Sequence, residues 1–548
     1  MQHSQLRTVS VVFLLVGLLT FLLLGGIPAG YAFAASTRDF GILSGLWGSP
    51  VVGLANFRGF MGGHMFGRVF VNSFILGVVP SILAVVVAVP VAGAVGSMSA
   101  GWRRTVATIA LLLPAFVPDI TMAFLVQNLF SSLAFANAGS FRVIMIVLSA
   151  IRPAAVCAFV GAAAAGICKD RGQSGFTGAA AGAFVGIAVS LVRFLSGNAE
   201  LQILLNNPLV MHVAETFDSY QYRQGLLMFN VSYASAAWVF RTLLQMIVAL
   251  PVSAAVFFCM RGLARVQVGT SYGAAHDAGY GAGYRTGYDA EQGIGFDAEH
   301  DASYSGGYGV QAGFIPAALG AVVFVVLILL PVAYAGTYAP GMLGGAVVSS
   351  VVITVISVVV QGVLLFALAA WLCVHIKNIG AVILILVLVA IVNNTMGTFL
   401  FHQWRGVVNT YWGVGFANAF NIAYVLPLAF LAWLKNPAVD SLRGLVRAML
   451  PYFAAFMGLF AASAWGSGFY QMVLLREMRL FGVPMFLWQA MHGRFYMISA
   501  GFILGISLPV LIIAVGTVVD FIVTNRIASA ERPPIPTDLP TFEGGMDY

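Results

Sequence analysis

The stretch NNPLVMHVAETFDSYQYRQG (residues 206–225) sets Asn, Asp, Glu, His, Arg and two Tyr into a chain of 548 residues that is 60% hydrophobic and 8% charged. Soluble domains carry about a quarter charged residues. A chain this poor in charge cannot cover a soluble surface, whereas lipid-facing helices need almost none. A chain that crosses lipid must satisfy its backbone internally, and long apolar runs do so as helices. The fold class is therefore an all-α polytopic membrane protein. Residues 206–225 mark a place where the chain leaves the membrane, and the spans are counted outward from them.

A hydrocarbon core about 30 Å thick takes about 20 helical residues. Before the polar stretch, apolar runs fall at 8–34, 70–95, 105–128, 142–166 and 177–196. After it they fall at 234–259, 313–336, 345–374, 379–398, 413–434, 450–466 and 497–523. The expectation is about 12 transmembrane helices, as two six-helix blocks. The first run ends in AFAAS but is much longer than the roughly 7–15 residues of a signal-peptide core, so it is read as an uncleaved span. With the N-terminus inside, Lys169, Lys377 and Lys435, all the lysines of the chain, fall on the cytoplasmic side. The expected location is a bacterial cytoplasmic (inner) membrane, crossed many times, with both termini cytoplasmic and residues 206–225 outside.

Between the blocks, residues 266–311 are dominated by Gly, Tyr, Asp and Ala, with GYDAEQ echoed by GFDAEH. Such a segment buries no core and reads as a cytoplasmic linker. The expected division is 1–265, first transmembrane domain; 266–311, linker; 312–530, second transmembrane domain; 531–548, a Pro-rich cytoplasmic tail. The net charge of +7 reports orientation rather than nucleic acid, which is not expected as a partner; membrane lipid is.

No residue set supports catalysis. The four cysteines lie in or beside apolar runs without metal-ligand spacing, and no metal or bound cofactor is expected. No GxxxxGK[ST] loop is present, so the chain is not expected to hydrolyse ATP itself, and energy would come from a partner that uses ATP or from an ion gradient. The chain is not expected to be an enzyme. Polar groups inside the spans carry more information. Asp119 and Arg152 lie about ten residues from the same surface on consecutive antiparallel runs, and either charge left single costs about 3 kcal/mol or more on insertion scales. An intramembrane ion pair is the expectation, with a proton pathway as the alternative. Asn72, Gln245, Gln361, Asn393 and Asn394 fall within or near spans. They suit either a translocation pathway or hydrogen bonds between helices. The small-residue runs at 161–166 and 178–184 are packing faces.

At this point the chain resembles a known family. Residues 206–240 are similar to the outer loop and last helix of bacterial ABC-transporter permeases, nearest the oligosaccharide and polysaccharide import branch, with NNP, DSYQYRQG and VSYASAA at the matching places. GLANFRGF (53–60), VNSF (71–74) and LLLPAFVP (111–118) resemble the family's core, while NTYWGVGFANAFN (409–421) and MLPYFAAFMGLFAASAW (449–465) resemble the partner permease. The resemblance implies a type I importer with two permease domains fused in one chain. An extracytoplasmic solute-binding protein and cytoplasmic ABC ATPase subunits would be its partners. It also implies that Asp218, Tyr220, Tyr222 and Arg223 meet the binding protein or border the outer gate; an outer loop held by its own Asp–Arg contacts is the other reading.

The family's cytoplasmic coupling loop is eroded. The first block has only GICKDRGQSGF (166–176), where Lys169, Asp170 and Arg171 are either a vestigial ATPase contact or a plain basic turn. The second has LKNPAVDSLRGLVRAMLP (434–451), which keeps Asp440, Gly444 and Leu450–Pro451. There Leu442 and Val446 would face an ATPase, rimmed by Arg443 and Arg447. The implied function is a permease subunit for a sugar or oligosaccharide. Ferric iron or another small solute, a gradient-driven secondary transporter, and a decayed permease serving as a membrane scaffold stay open.

Overall fold

The computed structural model describes residues 2–130, 135–281, 340–391, 394–437 and 441–485. Its principal helices are α1 (Thr8–Ser36), α2 (Phe66–Gly96), α3 (Trp102–Ala110), α4 (Asp119–Leu129), α5 (Ala138–Asp170), α6 (Gly175–Val192), α7 (Ala199–Leu205) and α8 (Val231–Gly281). They continue as α9 (Pro340–His375), α10 (Ile379–Ile391), α11 (Thr395–Trp404), α12 (Tyr411–Asn418), α13 (Val425–Lys435) and α14 (Leu442–Gly466). Among the described residues no strand is named; Arg38 and Val51 form one isolated bridge. Seven helices are long and apolar enough to cross a membrane: α1, α2, α5, α6, α14 and the apolar stretches of α8 and α9. Many outward residues on them are bare Leu, Val, Ile and Phe, such as Leu15, Val86, Ile247 and Val359. That surface suits lipid, and the chain is a membrane protein.

Three of the other expected spans are broken, for reasons visible in the residues. The run at 105–128 is two helices, α3 and α4, separated by a 3-10 turn at Leu113–Phe116. Pro114 and Pro118 lack the N–H that a continuous helix needs, so the chain turns between them. Asp119 consequently opens a helix, where the N-terminal dipole favours an acidic side chain. The run at 379–398 becomes α10 and α11, bent by 74°. Asn394 caps α11, accepting from the Gly397 amide at 2.8 Å. The run at 413–434 likewise splits into α12 and α13. The runs at 313–336 and 497–523 lie outside the described residues. The helix α8 continues past the expected linker boundary to Gly281, because no proline interrupts it after Pro251.

Close backbone approach organises the N-terminal part. α5 and α6 pack along Gly161, Gly178, Gly182 and Gly186; a β-carbon on Gly182 would lie 2.6 Å from the Val160 carbonyl oxygen and 2.8 Å from the Gly161 α-carbon. Small residues there let two apolar helices gain dispersion contact that lipid tails do not supply. The N- and C-terminal parts of the chain interlock. α1 packs on α9 and α11, with Phe13 edge-on to Phe366 at 5.8 Å and Phe21 against Phe420 at 5.2 Å. Asn394 donates to the Pro28 carbonyl at 3.1 Å, joining α11 to α1, and α8 lies along α10.

Candidate functional site

A cavity of about 240 Å³ lies where the N-terminal part meets the C-terminal part. Its walls come from α2 (Gly77, Ser81), the start of α4 (Asp119), α5 (Ser149, Arg152, Val156), the end of α6 (Ser190, Arg193), Ser196 and Asn198, and from Asn421, Tyr424 and Ser463 across the junction. Hydroxyls, amides and charges face a common space at the heart of an apolar bundle. The local reason is the broken third run: the turn at Pro114–Pro118 points the first residue of α4 inward, and α6 ends at Val192, so Arg193 falls on the same space.

The structure brings Asp119 and Arg152 together. Arg152 donates to Asp119 Oδ2 at 3.1 Å and to the Val117 carbonyl at 3.2 Å, while Asn198 donates to Asp119 Oδ1 at 2.9 Å. Two further charges stand close by. Glu200, on α7, is buried and accepts from the Gly468 amide at 2.7 Å and the Ser467 hydroxyl at 3.3 Å, tying the two parts of the chain at one end of the cavity. Burial, and then the nearby charge of Asp119, push the Glu200 carboxyl up to about 8. The guanidinium of Arg241, fully buried on α8, pairs with Asp218.

A second cavity, of about 490 Å³, lies further along α5 and α14. It is bounded by Arg104, Thr108, Phe116, Phe159, Asp170, Arg171, Lys435, Pro451 and Tyr452. An aromatic layer stands between the two spaces. Phe159 meets Phe456 edge-on at 5.7 Å, and Phe456 stacks on Tyr424 at 5.2 Å. Phe116, Phe159 and Phe456 are buried. The arrangement is a polar chamber, an aromatic partition and a larger vestibule on one line.

At the far end of the vestibule lie both sequence-predicted coupling segments. In the first, Asp170 pairs with Arg104, Lys169 donates to the Ser97 carbonyl, and Arg171 donates to the Lys435 carbonyl at 2.9 Å. These three residues form a tight turn between α5 and α6 that holds to its own chain. In the second, the described part of the segment from Ser441 onward is the first turns of α14 itself, capped by Ser441, which accepts from the Gly444 amide at 3.1 Å. Leu442, Arg443 and Arg447 are exposed, Val446 is half-buried, and Leu445 and Met449 face the core. Asp440 lies outside the described residues.

The outer-loop residues sit deeper than expected. Asp218 and Tyr220 are buried, Asp218 being held by Arg241, and Tyr222 and Arg223 are half-buried. Arg223 pairs with Glu215, donating through Nε at 2.6 Å. Residues 206–225 fold back into the bundle because their charges find partners there, and they present neither Asp218 nor Tyr220 as a contact surface in this conformation. Burial and the Glu215 charge push the Tyr220 hydroxyl up to about 12.

The expected pathway amides serve the scaffold. Asn72 donates to the His212 and Glu215 carbonyls at 3.0 and 3.2 Å and accepts from Arg142 at 3.1 Å. Gln245 donates to Ser196 at 2.9 Å, Gln361 brackets the backbone of Asn421, and Asn394 caps α11. Asn393 lies outside the described residues. None of the four described amides borders either cavity. Of the residues that do carry charge or hydrogen bonding there, Asp119 and Arg152 are expected from the sequence, whereas Arg193, Asn198 and Tyr424 are not. Arg241 had a legible signal, since WVFRTLLQ (238–245) puts a cation inside an apolar run.

No family profile matches the chain, and no curated protein matches it. Among solved structures, it is similar to a chain in the crystal structure of a bacterial alginate ABC transporter in complex with an alginate pentasaccharide-bound periplasmic protein. The identity is 20%, over 39% of this chain and 84% of that one, with a TM-score of 0.32.

Proposed function

We propose that this chain is the membrane-spanning permease of an ABC importer, with both permease domains in one polypeptide and a carbohydrate as its solute. A periplasmic binding protein delivers the solute, and separate ATPase subunits supply the energy. The observation that carries this reading is the polar chamber seated between the N- and C-terminal parts and divided from a larger vestibule by the Phe116–Phe159–Phe456 layer. Alternating access requires a site of this kind, reachable from one side at a time through a layer that can part. The ordered likeness of residues 53–74, 111–118, 206–240, 409–421 and 449–465 to permease segments supports the same reading.

Coupling on this reading is one-sided. Leu442 and Val446, one turn apart at the exposed start of α14, form the docking surface, and Arg171, which reaches the Lys435 carbonyl, carries the movement to the first turn. The raised Glu200 carboxyl favours one rival, a proton-driven carrier. Purification of the full chain from its own membranes separates the two. An associated ATPase whose turnover rises with a binding protein supports the importer. Uptake that persists in ATP-depleted, energised vesicles, with no ATPase attached, rejects it.

A further inference from the structure

We propose that the central chamber selects a hydroxylated solute bearing an oxyanion, and that Arg193 binds that anion. The proposal deepens the importer reading and rests on it only in taking the chamber as the solute's path. Arg193 borders the chamber just beyond α6, and among the described residues its side chain makes no hydrogen bond or ion pair; its Nε is buried without a partner. A guanidinium inside a bundle is costly to leave uncompensated, and one retained there marks a binding function.

The neighbouring carboxylates are committed elsewhere. Asp119 accepts from Arg152 and Asn198, and Glu200 is held at Ser467 and Gly468, outside the chamber wall. Asp218 is paired with Arg241; its second oxygen is free and gives Arg193 a counter-charge only at a distance. Asp119 is paired with Arg152 and Asp218 with Arg241, so no carboxylate is paired directly with Arg193. A planar guanidinium fork accepts a carboxylate or phosphate ester through two parallel hydrogen bonds. Around it stand Ser149, whose hydroxyl is buried without a partner, and Ser190 and Asn198, groups suited to a solute's hydroxyls. As a purely structural helix-end cation, Arg193 would be expected to turn its guanidinium onto the last carbonyls of α6, yet only its backbone N–H bonds one, that of Val189 at 3.0 Å.

The test uses the purified full chain in lipid nanodiscs, with thermal unfolding followed against three probes: digalacturonate, glucose 6-phosphate and neutral cellobiose. A saturable rise in Tm with either anionic probe and none with cellobiose is expected, and which anion acts tells carboxylate from phosphate. Arg193→Gln should weaken that anion's apparent Kd at least about tenfold, the worth of one charge-assisted hydrogen bond. If that variant does not fold, Arg193→Lys keeps the charge and removes the fork, and should weaken binding by a similar factor. Equal shifts with cellobiose, no shift with either anion, or unchanged affinity in the variants overturns the proposal. The assay needs no ATPase, so anion binding by a chain that never engages one defeats the importer reading alone. Uptake of neutral sugar only, by an intact ATPase complex, defeats the anion site alone.

Discussion

Replacing Asp119 by Asn keeps the side-chain shape and removes one charge. In the native chain Arg152 has two acceptors, Asp119 at 3.1 Å and the Val117 carbonyl at 3.2 Å, and the side chains of Arg152 and Asp119 are 26% and 10% exposed. After substitution Arg152 keeps a full charge against two neutral oxygens. Insertion scales put a lone mid-span arginine at about 3 kcal/mol, and breaking a buried pair at about 3–5 kcal/mol. Arg152 borders a chamber large enough for water, which lowers the figure to about 2–3 kcal/mol. That is a shift of roughly 30- to 150-fold in the unfolding constant. The assay is reversible unfolding of the full chain in mixed micelles with increasing SDS fraction. Arg152→Met alone should also destabilise, by stranding Asp119, and the double variant should recover most of the loss, with a coupling energy of about 1.5 kcal/mol or more. An Asp119→Asn variant within about 0.5 kcal/mol of the native chain, or additive single changes, would refute the pair as a packing device.

Three further outcomes follow from the same structure. Gly182→Leu drives atoms into the Val160 carbonyl and the Gly161 backbone, neither of which is a flexible side-chain tip, and should lower the Tm markedly, at a cost of about 1–3 kcal/mol or more. For Glu200, the folded carboxyl stands near 8 against an ordinary value of 4.5, so folding favours the protonated form. Its contribution is fully present below about pH 4.5 and is lost as pH rises through 8; Tm should fall over that window and Glu200→Gln should flatten the fall. Leu442→Asp combined with Val446→Asp should abolish co-purification of an ATPase while leaving the Tm nearly unchanged, since Leu442 is exposed and Val446 half-buried; retained association would remove α14 as the docking surface.

Much of the architecture is legible in apolar run length, because lipid imposes a simple rule on any chain that crosses it. Run length does not tell a span from a pair of half-helices: 105–128 and 379–398 look continuous, yet Pro114, Pro118 and the Asn394 cap break them. Asp119 and Arg152 could be matched by depth, since a charge in lipid needs a partner. Arg193 could not, because it follows the last residue of α6 and resembles an ordinary interfacial cation until the chamber wall is seen. Asp218 left two readings open, an outer contact or an Asp–Arg tie, and the fold supplies an Asp–Arg tie whose partner, Arg241 on α8, lies outside the stretch itself.

The engagement of α1 with α9 and α11 bears on how the chain is made. The ribosome delivers residues 8–36 first; α8, which receives residues 27–36, follows from residue 231, but the other receiving surfaces, at 345–404, emerge some 300 residues later, on the order of half a minute at ordinary synthesis rates. During that interval the helix must wait in the bilayer without its C-terminal partners, with α8 alone to lean on once it is made. Its apolar stretch is suited to waiting: only 22% of it is buried in the finished bundle, and it holds no charge from Thr8 to Ser36. Assembly is therefore closed by the late arrival of the C-terminal helices, and a nascent chain stopped before residue 340 would hold the second half of its first helix against α8 while the first half, which faces α9, stays bare in the lipid.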